Sequence, residues 1–220
     1  MKIVINSHNK SQIALNHLLE SMKKHEDFNT YDVIIAIGGY YDYPDYKIEK
    51  IDNITYIYCN HNSIDYTGLI ALYELYRDND EHYFYLHDTC RVGDNFFKKL
   101  KSIRLNGVAH VKLNRNFSMN MGVYGQNLIN KFGYYLLTKK NTDESRCMEF
   151  KKKFEEDYLF NHSSEGYVLD NYNGWNYTGP TDYYGTGVMR IVEYYPNIDL
   201  YKIKANWGQT LQTGVWYLDN

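Results

Sequence analysis

The first half of the chain alternates short β-branched runs with amphipathic helical segments, and that alternation leaves few folds open. Lys2 to Asn6 (KIVIN) is an apolar run of strand length. Asn9 with Gln12 three residues on has the form of a helix-capping pair, and Ala14, Leu15, Leu18, Leu19 and Met22 then share one helical face. DVIIAIGGY is a second strand stopped by two glycines. A tyrosine-rich loop through Pro44 follows, and ITYIYCN is a third strand. SIDYTGLIALYELY predicts a helix with Ser63 as N-cap and Leu69, Leu72, Tyr73 and Tyr76 inward. HYFYLHD is a fourth strand, after which Asp94 caps a short helix carrying Phe96, Phe97, Leu100 and Ile103. This order implies an α/β fold with a mainly parallel sheet flanked by helices. Ligands of such sheets gather beyond the carboxyl ends of the strands, which singles out His8, Asn9, Gly38, Gly39, Asn60, His61 and the His87-Asp88-Thr89 turn.

The second half is less regular. VAHVKLN predicts a strand, and the glycines of NMGVYGQ predict a turn or a close backbone approach. A charged amphipathic helix is expected from Thr142 to Asn161, with Cys147, Phe150, Phe154 and Tyr158 inward. The stretch from His162 to Thr186, rich in Gly, Asn, Ser and Tyr, has the composition of a functional loop. RIVEYYPNIDLYKIK returns to strand-like alternation. With no repeat or linker in view, residues 1–220 are expected to form one domain.

Charge excludes some functions. The formal net charge is −3, with 24 basic and 27 acidic residues spread along the chain, so no basic stripe suits nucleic acid. No apolar run approaches the roughly 20 residues of a membrane span, and MKIVINSHNK turns polar too early for a signal peptide. Cys59, Cys90 and Cys147 have no CxxC spacing; a reducing, cytoplasmic location is the expectation. The 25 tyrosines suit sugar stacking, but an AT-rich genome explains them as well.

Two blocks of text resemble the GT-A glycosyltransferases, particularly the compact family 2-like ones. INSHNKSQIALNHLLESMKKH matches the opening strand, turn and helix of that fold. YFYLHDTCRVGDNFFKKL matches its later strand, acidic metal motif and following helix, with Gly93-Asp94 where Pro-Asp often stands. The resemblance covers roughly the first 105 residues, and length and composition are similar to those of small glycosyltransferases of large DNA viruses, for which host cytoplasm is the implied location. It implies a single-domain, Rossmann-like fold with a donor half (1–105) and a less regular acceptor half (106–220). It also implies transfer of a hexosyl or deoxyhexosyl group from a UDP-, GDP- or dTDP-linked sugar to a glycan or glycoprotein, with inversion at the anomeric carbon.

The candidate residues follow. Asp88 is the expected ligand of a divalent cation (Mn²⁺ or Mg²⁺), although the motif holds one carboxylate where the family has two, and Ile37-Gly38-Gly39 stands where acidic residues are frequent. His87 and Thr89 beside it, and His8, Asn9 and Asp65, are expected to contact the donor. For Asn9 and Asp65, local capping and the helix dipole are equal alternatives. Gly122, with Gly125, allows approach to the transferred sugar or only a turn. Arg190 either neutralises the leaving diphosphate or forms a surface ion pair. For the catalytic base Asp182 in GPTDYYGTG comes first, Glu165 second, and Asp143 or Glu144 third. Glu155, Glu156 and Asp157 read as a solvated face. A non-catalytic carbohydrate- or partner-binding module, or a nucleotide-sugar pyrophosphorylase, are the alternative functions.

Overall fold

A computed structural model describes residues 1–115, 120–152, 159–174, 176–178 and 189–205. The strands are β1 (Lys2–His8), β2 (Val33–Gly38), β3 (Lys47–Ile51), β4 (Ile54–Tyr58), β5 (His82–His87) and β6 (Cys90–Val92). They continue as β7 (His110–Lys112), β8 (Gly122–Gly125), β9 (Gly166–Val168), β10 (Asn176–Thr178), β11 (Met189–Tyr195) and β12 (Leu200–Ala205). The α-helices are α1 (Gln12–Lys23), α2 (Thr67–Leu75), α3 (Phe96–Lys101), α4 (Gln126–Lys131), α5 (Gly133–Thr138) and α6 (Glu144–Lys152).

The larger sheet runs β3-β4-β2-β1-β5-β8-β7-β9. Its centre, β4-β2-β1-β5, is parallel throughout, as the alternation predicts. The flanks are mixed: β3 pairs antiparallel with β4, β8 lies antiparallel to both β5 and β7, and β9 is parallel to β7. The fold is therefore α/β, with a mostly parallel sheet covered on both faces.

Period-two alternation sorts the strand residues between those faces. Ile3 and Ile5 of β1 join Leu15, Leu18 and Met22 of α1 and Phe96, Phe97 and Leu100 of α3 in one core. Val4 joins Leu69 and Leu72 of α2, Tyr83 and Tyr85 of β5, and Leu128 and Leu136 of α4 and α5 in the other. Fully burying such a side chain is worth about 1.5–3 kcal/mol, more than the ~1 kcal/mol of a helix cap. This is why α1 forms without one: Ser11 is its N-cap residue but makes no side-chain cap bond.

The Asn9–Gln12 capping pair is thus not formed. Asn9 Nδ2 donates instead to the Gly39 carbonyl (2.7 Å), and Gln12 Nε2 to Asn16 (2.7 Å). Nor does Asp94 cap α3. That end is held from far along the chain by Asp199, whose carboxylate accepts the Asn95 amide (2.7 Å) while its carbonyl accepts the Gly93 amide (2.8 Å). The loop after Pro44 contains β3, and the expected 162–186 loop contains β9 and β10. β11 and β12 form an antiparallel pair in a second sheet, ordered β10-β11-β12-β6. β6 directly follows the His87-Asp88-Thr89 turn, so the C-terminal strands are attached to that turn. Among the described residues no helix is long and apolar enough to cross a membrane.

Candidate active site at the carboxyl edge of the large sheet

From β1 the chain moves to β2 on one side, while β5, on its other side, is reached only after β4 and α2. The β1/β5 boundary is therefore the topological switch point, where the diverging connections leave a crevice. His8 ends β1 and His87 ends β5, with Asp88 next, so the two motifs singled out in the sequence meet there. Ser7 Oγ closes the gap by donating to Asp88 Oδ2 (2.9 Å), both residues being buried.

His87 and Asp88 point to opposite faces, as successive strand positions do. His87 Nε2 lies 3.8 Å from Asp65 Oδ1 on the α2 side, while Asp88 faces Ser7 on the α1 side. Asn6, in the same phase as His8, ties β1 to the start of α2: its Nδ2 donates to the Ile64 carbonyl (2.9 Å) and its Oδ1 accepts the Gly68 amide (2.9 Å).

His8, His61 and His87 are neutral at pH 7. Burial, and then the Lys10 charge, lowers His8 to about 4. Because His8 Nδ1 accepts the Lys10 amide (3.0 Å), its proton sits on Nε2, beside Gly39. Burial lowers His61 to about 3, and together with the Lys202 charge takes His87 well below its ordinary value. Burial pushes the Asp88 carboxyl up, against the pull of the Lys202 ammonium and the Ser7 and Ser11 hydroxyls.

Two glycines of the crevice have steric reasons. Gly39 has φ +97°, and a Cβ there would sit 2.9 Å from both Asn9 Oδ1 and His8 Nε2. Gly122 has φ +139°, and its Cβ would meet the Val111 carbonyl oxygen at 2.2 Å. Gly122 also lies opposite Tyr85 in β5, near the carboxyl edge.

A half-buried network behind the crevice was not visible in the sequence. Tyr46 Oη lies 3.0 Å from His61 Nε2 and donates to Glu74, which Lys140 Nζ also reaches (2.7 Å). It ties the loop after β2 and the end of β4 to α2. Thr89 is engaged as well: its Oγ1 accepts Lys202 Nζ, and its carbonyl accepts the Ile203 amide (2.9 Å).

Glu165 needs correcting. β9 is parallel to β7 and starts opposite His110, so Glu165, just before it, lies at the amino edge of the sheet. Its carbonyl accepts the Ala109 amide (2.6 Å), whose own carbonyl accepts the Gly125 amide opposite His82, the first residue of β5. Glu165 is exposed there, a strand length from Asp88, so the structure does not bring the two carboxylates together. Glu144 is brought closer, through its ion pair with Lys10 (2.6 Å). Asp182 and Glu155, Glu156 and Asp157 lie outside the described residues. Arg190 is on β11 at a register irregularity. Cys147 is buried as expected, whereas Phe154 and Tyr158 are outside the described residues.

The family resemblance implies a divalent cation, which needs several hard oxygen ligands. Here Asp88 offers one carboxylate bonded to Ser7, Asp65 faces the other side of the sheet, and the Lys202 ammonium occupies Thr89. Among the described residues no three His, Cys, Asp or Glu side chains gather to hold a metal. These residues do not fit such an ion. An open cavity of about 570 Å³, lined by Lys99, Arg104, Tyr167, Asp170 and Asn197 among others, shares no residue with the crevice.

The neutral histidines set an acid limit on stability. His8, His61 and His87 are bases whose folded values lie below the unfolded 6.5, so on acidification the unfolded chain takes up protons first. Their contribution is complete above pH 6.5 and is lost as the pH falls toward 4, at up to about 1.4 kcal/mol per pH unit for each histidine. Asp88, shifted upward, acts in the opposite sense, as one group against three. Melting temperature followed by circular dichroism from pH 7.5 to 4.5 is expected to drop steadily below pH 6.5; a flat profile contradicts the neutral assignments.

Fold and site together define an α/β protein with a polar, hydrogen-bonded cluster at a parallel-sheet switch point. No protein-family model matches the chain, and no curated protein does. Among solved structures it is similar to the crystal structure of the glycosyltransferase GlyE of Streptococcus pneumoniae TIGR4, with a TM-score of 0.44 and 12% identity, covering 76% of this chain and 45% of that one. The apo form of GlyE gives 0.42 and 14%, covering 76% and 44%. The chain thus spans less than half the length of those proteins.

Proposed function

We propose that this chain transfers a glycosyl group from a nucleotide sugar to an acceptor hydroxyl, with the donor diphosphate in the crevice between the ends of β1 and β5. The observation that carries this is the closing of the switch point by Ser7 at the end of β1, whose Oγ donates to Asp88 just after β5, with His8 next in the chain. The two sequence blocks that resemble GT-A glycosyltransferases supply exactly these residues' neighbourhoods, but the geometry is independent of that resemblance.

Neutral His8, its proton on Nε2 beside Gly39, is the proposed contact of a ribose or phosphate oxygen. The acceptor oxygen attacks the anomeric carbon and loses its proton to a carboxylate, for which Asp182 remains the candidate. The bond to the diphosphate oxygen breaks, its electron pair leaves with the diphosphate, and the configuration inverts. In this reading residues 1–105 and 106–220 form one domain, holding donor and acceptor respectively. A family 2-like GT-A enzyme acting on a UDP-, GDP- or dTDP-linked hexose or deoxyhexose is the specific form proposed.

Incubation with a panel of nucleotide sugars, scored for release of nucleoside diphosphate and for labelled product, tests it. One nucleotide class is expected to be turned over. Binding of a nucleoside diphosphate should also raise the melting temperature by mass action. Absence of both turnover and nucleotide binding would leave a non-catalytic binding module.

A further inference from the structure

The row of side chains across the second sheet places an unusual charge beside the crevice. Lys202 of β12 lies opposite Cys90 of β6 on one side and opposite Glu193 of β11 on the other. Lys202 is 5% exposed and Glu193 1%. Burying an ammonium costs several kcal/mol unless it is compensated, so its partners are part of its reason for being there. Its Nζ donates to Thr89 Oγ1, and the Ile203 amide clamps the same residue's carbonyl (2.9 Å). Lys202 Nζ is thus bonded to the residue next to Asp88 in the chain, and its charge acts on the Asp88 carboxyl.

We infer that the Lys202 ammonium takes the place of a divalent cation at Asp88, so that the positive charge at the diphosphate end of the crevice is carried by the chain itself. A divalent ion brought to Asp88 would meet a fixed like charge and a carboxylate already bonded to Ser7. An ammonium is a compact charge on a flexible stem that serves an anion without needing a ligand cage. Its anchoring on Thr89 also fixes the turn that carries Asp88. Only the identity of the anion, a leaving diphosphate, rests on the transferase proposal.

The test uses manganese alone, without nucleotide, so it and the transferase proposal can fail separately. The free Mn²⁺ signal in electron paramagnetic resonance is followed on adding metal-stripped protein. For the wild-type chain at millimolar manganese, no uptake that depends on Asp88 is expected; uptake that Asp88→Asn removes overturns the inference. Lys202→Met, with folding checked by circular dichroism, leaves Asp88 and Glu193 without their ammonium and is expected to gain Mn²⁺ uptake, lost again in Asp88→Asn/Lys202→Met. Lys202→Arg keeps the charge and is expected to take up none. A folded Lys202→Met chain that ignores manganese also overturns it. If that variant does not fold, the wild-type titration decides.

Discussion

Lys202→Met is expected to lower stability by about 3–5 kcal/mol at pH 7.5, the scale of removing one partner from a buried charge group. The lysine is buried between strands that carry Cys90 and Glu193, and its charge also acts on Asp88. Without the ammonium, the Asp88 and Glu193 carboxylates lose the positive charge that Lys202 places beside them. Adding Asp88→Asn should recover more than about 1 kcal/mol, because groups in one network do not add independently. The pH dependence should become shallower. A carboxylate whose folded pKa is raised binds its proton more readily folded than unfolded, so Lys202→Met should lose less stability than the wild-type chain as the pH falls from 7 toward 5. The wild-type chain, governed by its neutral histidines, should lose stability over the same range. Urea denaturation at several pH values measures both trends. A loss within about 1 kcal/mol, with an additive double variant, would mean that the ammonium compensates neither carboxylate.

The central sheet was legible because each of its strands is long, apolar and bounded by turn residues, and because α1 and α2 bury faces with clear helical period. His8 and Asp88 could be singled out as candidates for the same reason: parallel topology points to strand ends before any side chain is seen. What escaped is what depends on partners distant in the chain. Asp199 holds the start of α3 from 104 positions away from Asn95, and nothing local to GDNFF announces it. β3 was hidden because Lys47, Ile48, Lys50 and Ile51 are exposed on an edge strand, which needs no apolar run. Lys202 did leave a trace: in DLYKIK it is in phase with Leu200, which is fully buried, so a strand pairing there had to bury a charge. Asn6, closing an otherwise apolar strand, is a similar trace, explained by its two bonds to the start of α2. Glu165 was misplaced because a Gly-rich neighbourhood says loop but not which edge of the sheet the loop serves.

That edge decides the catalytic base. A base must come within about 2.6–3.2 Å of the acceptor proton, directly or through one water. Glu165 is separated from Asp88 by the six residues of β5, roughly 15–20 Å at the rise of a strand, so Glu165→Gln is expected to transfer sugar at a near-normal rate. Asp182→Asn is expected to lower the rate at least about 100-fold, the scale of a general base, with donor affinity nearly unchanged if the residue serves the acceptor as proposed. Single-turnover rates alongside nucleoside diphosphate binding separate the two effects, on variants shown to be folded. Should Glu165→Gln be inactive and Asp182→Asn active, the crevice at His8 and Asp88 is not where transfer occurs. Should both remain active, Glu144 is the next carboxylate to replace: its ion pair with Lys10 holds it beside the end of β1, although that same pair lowers its pKa and weakens it as a base.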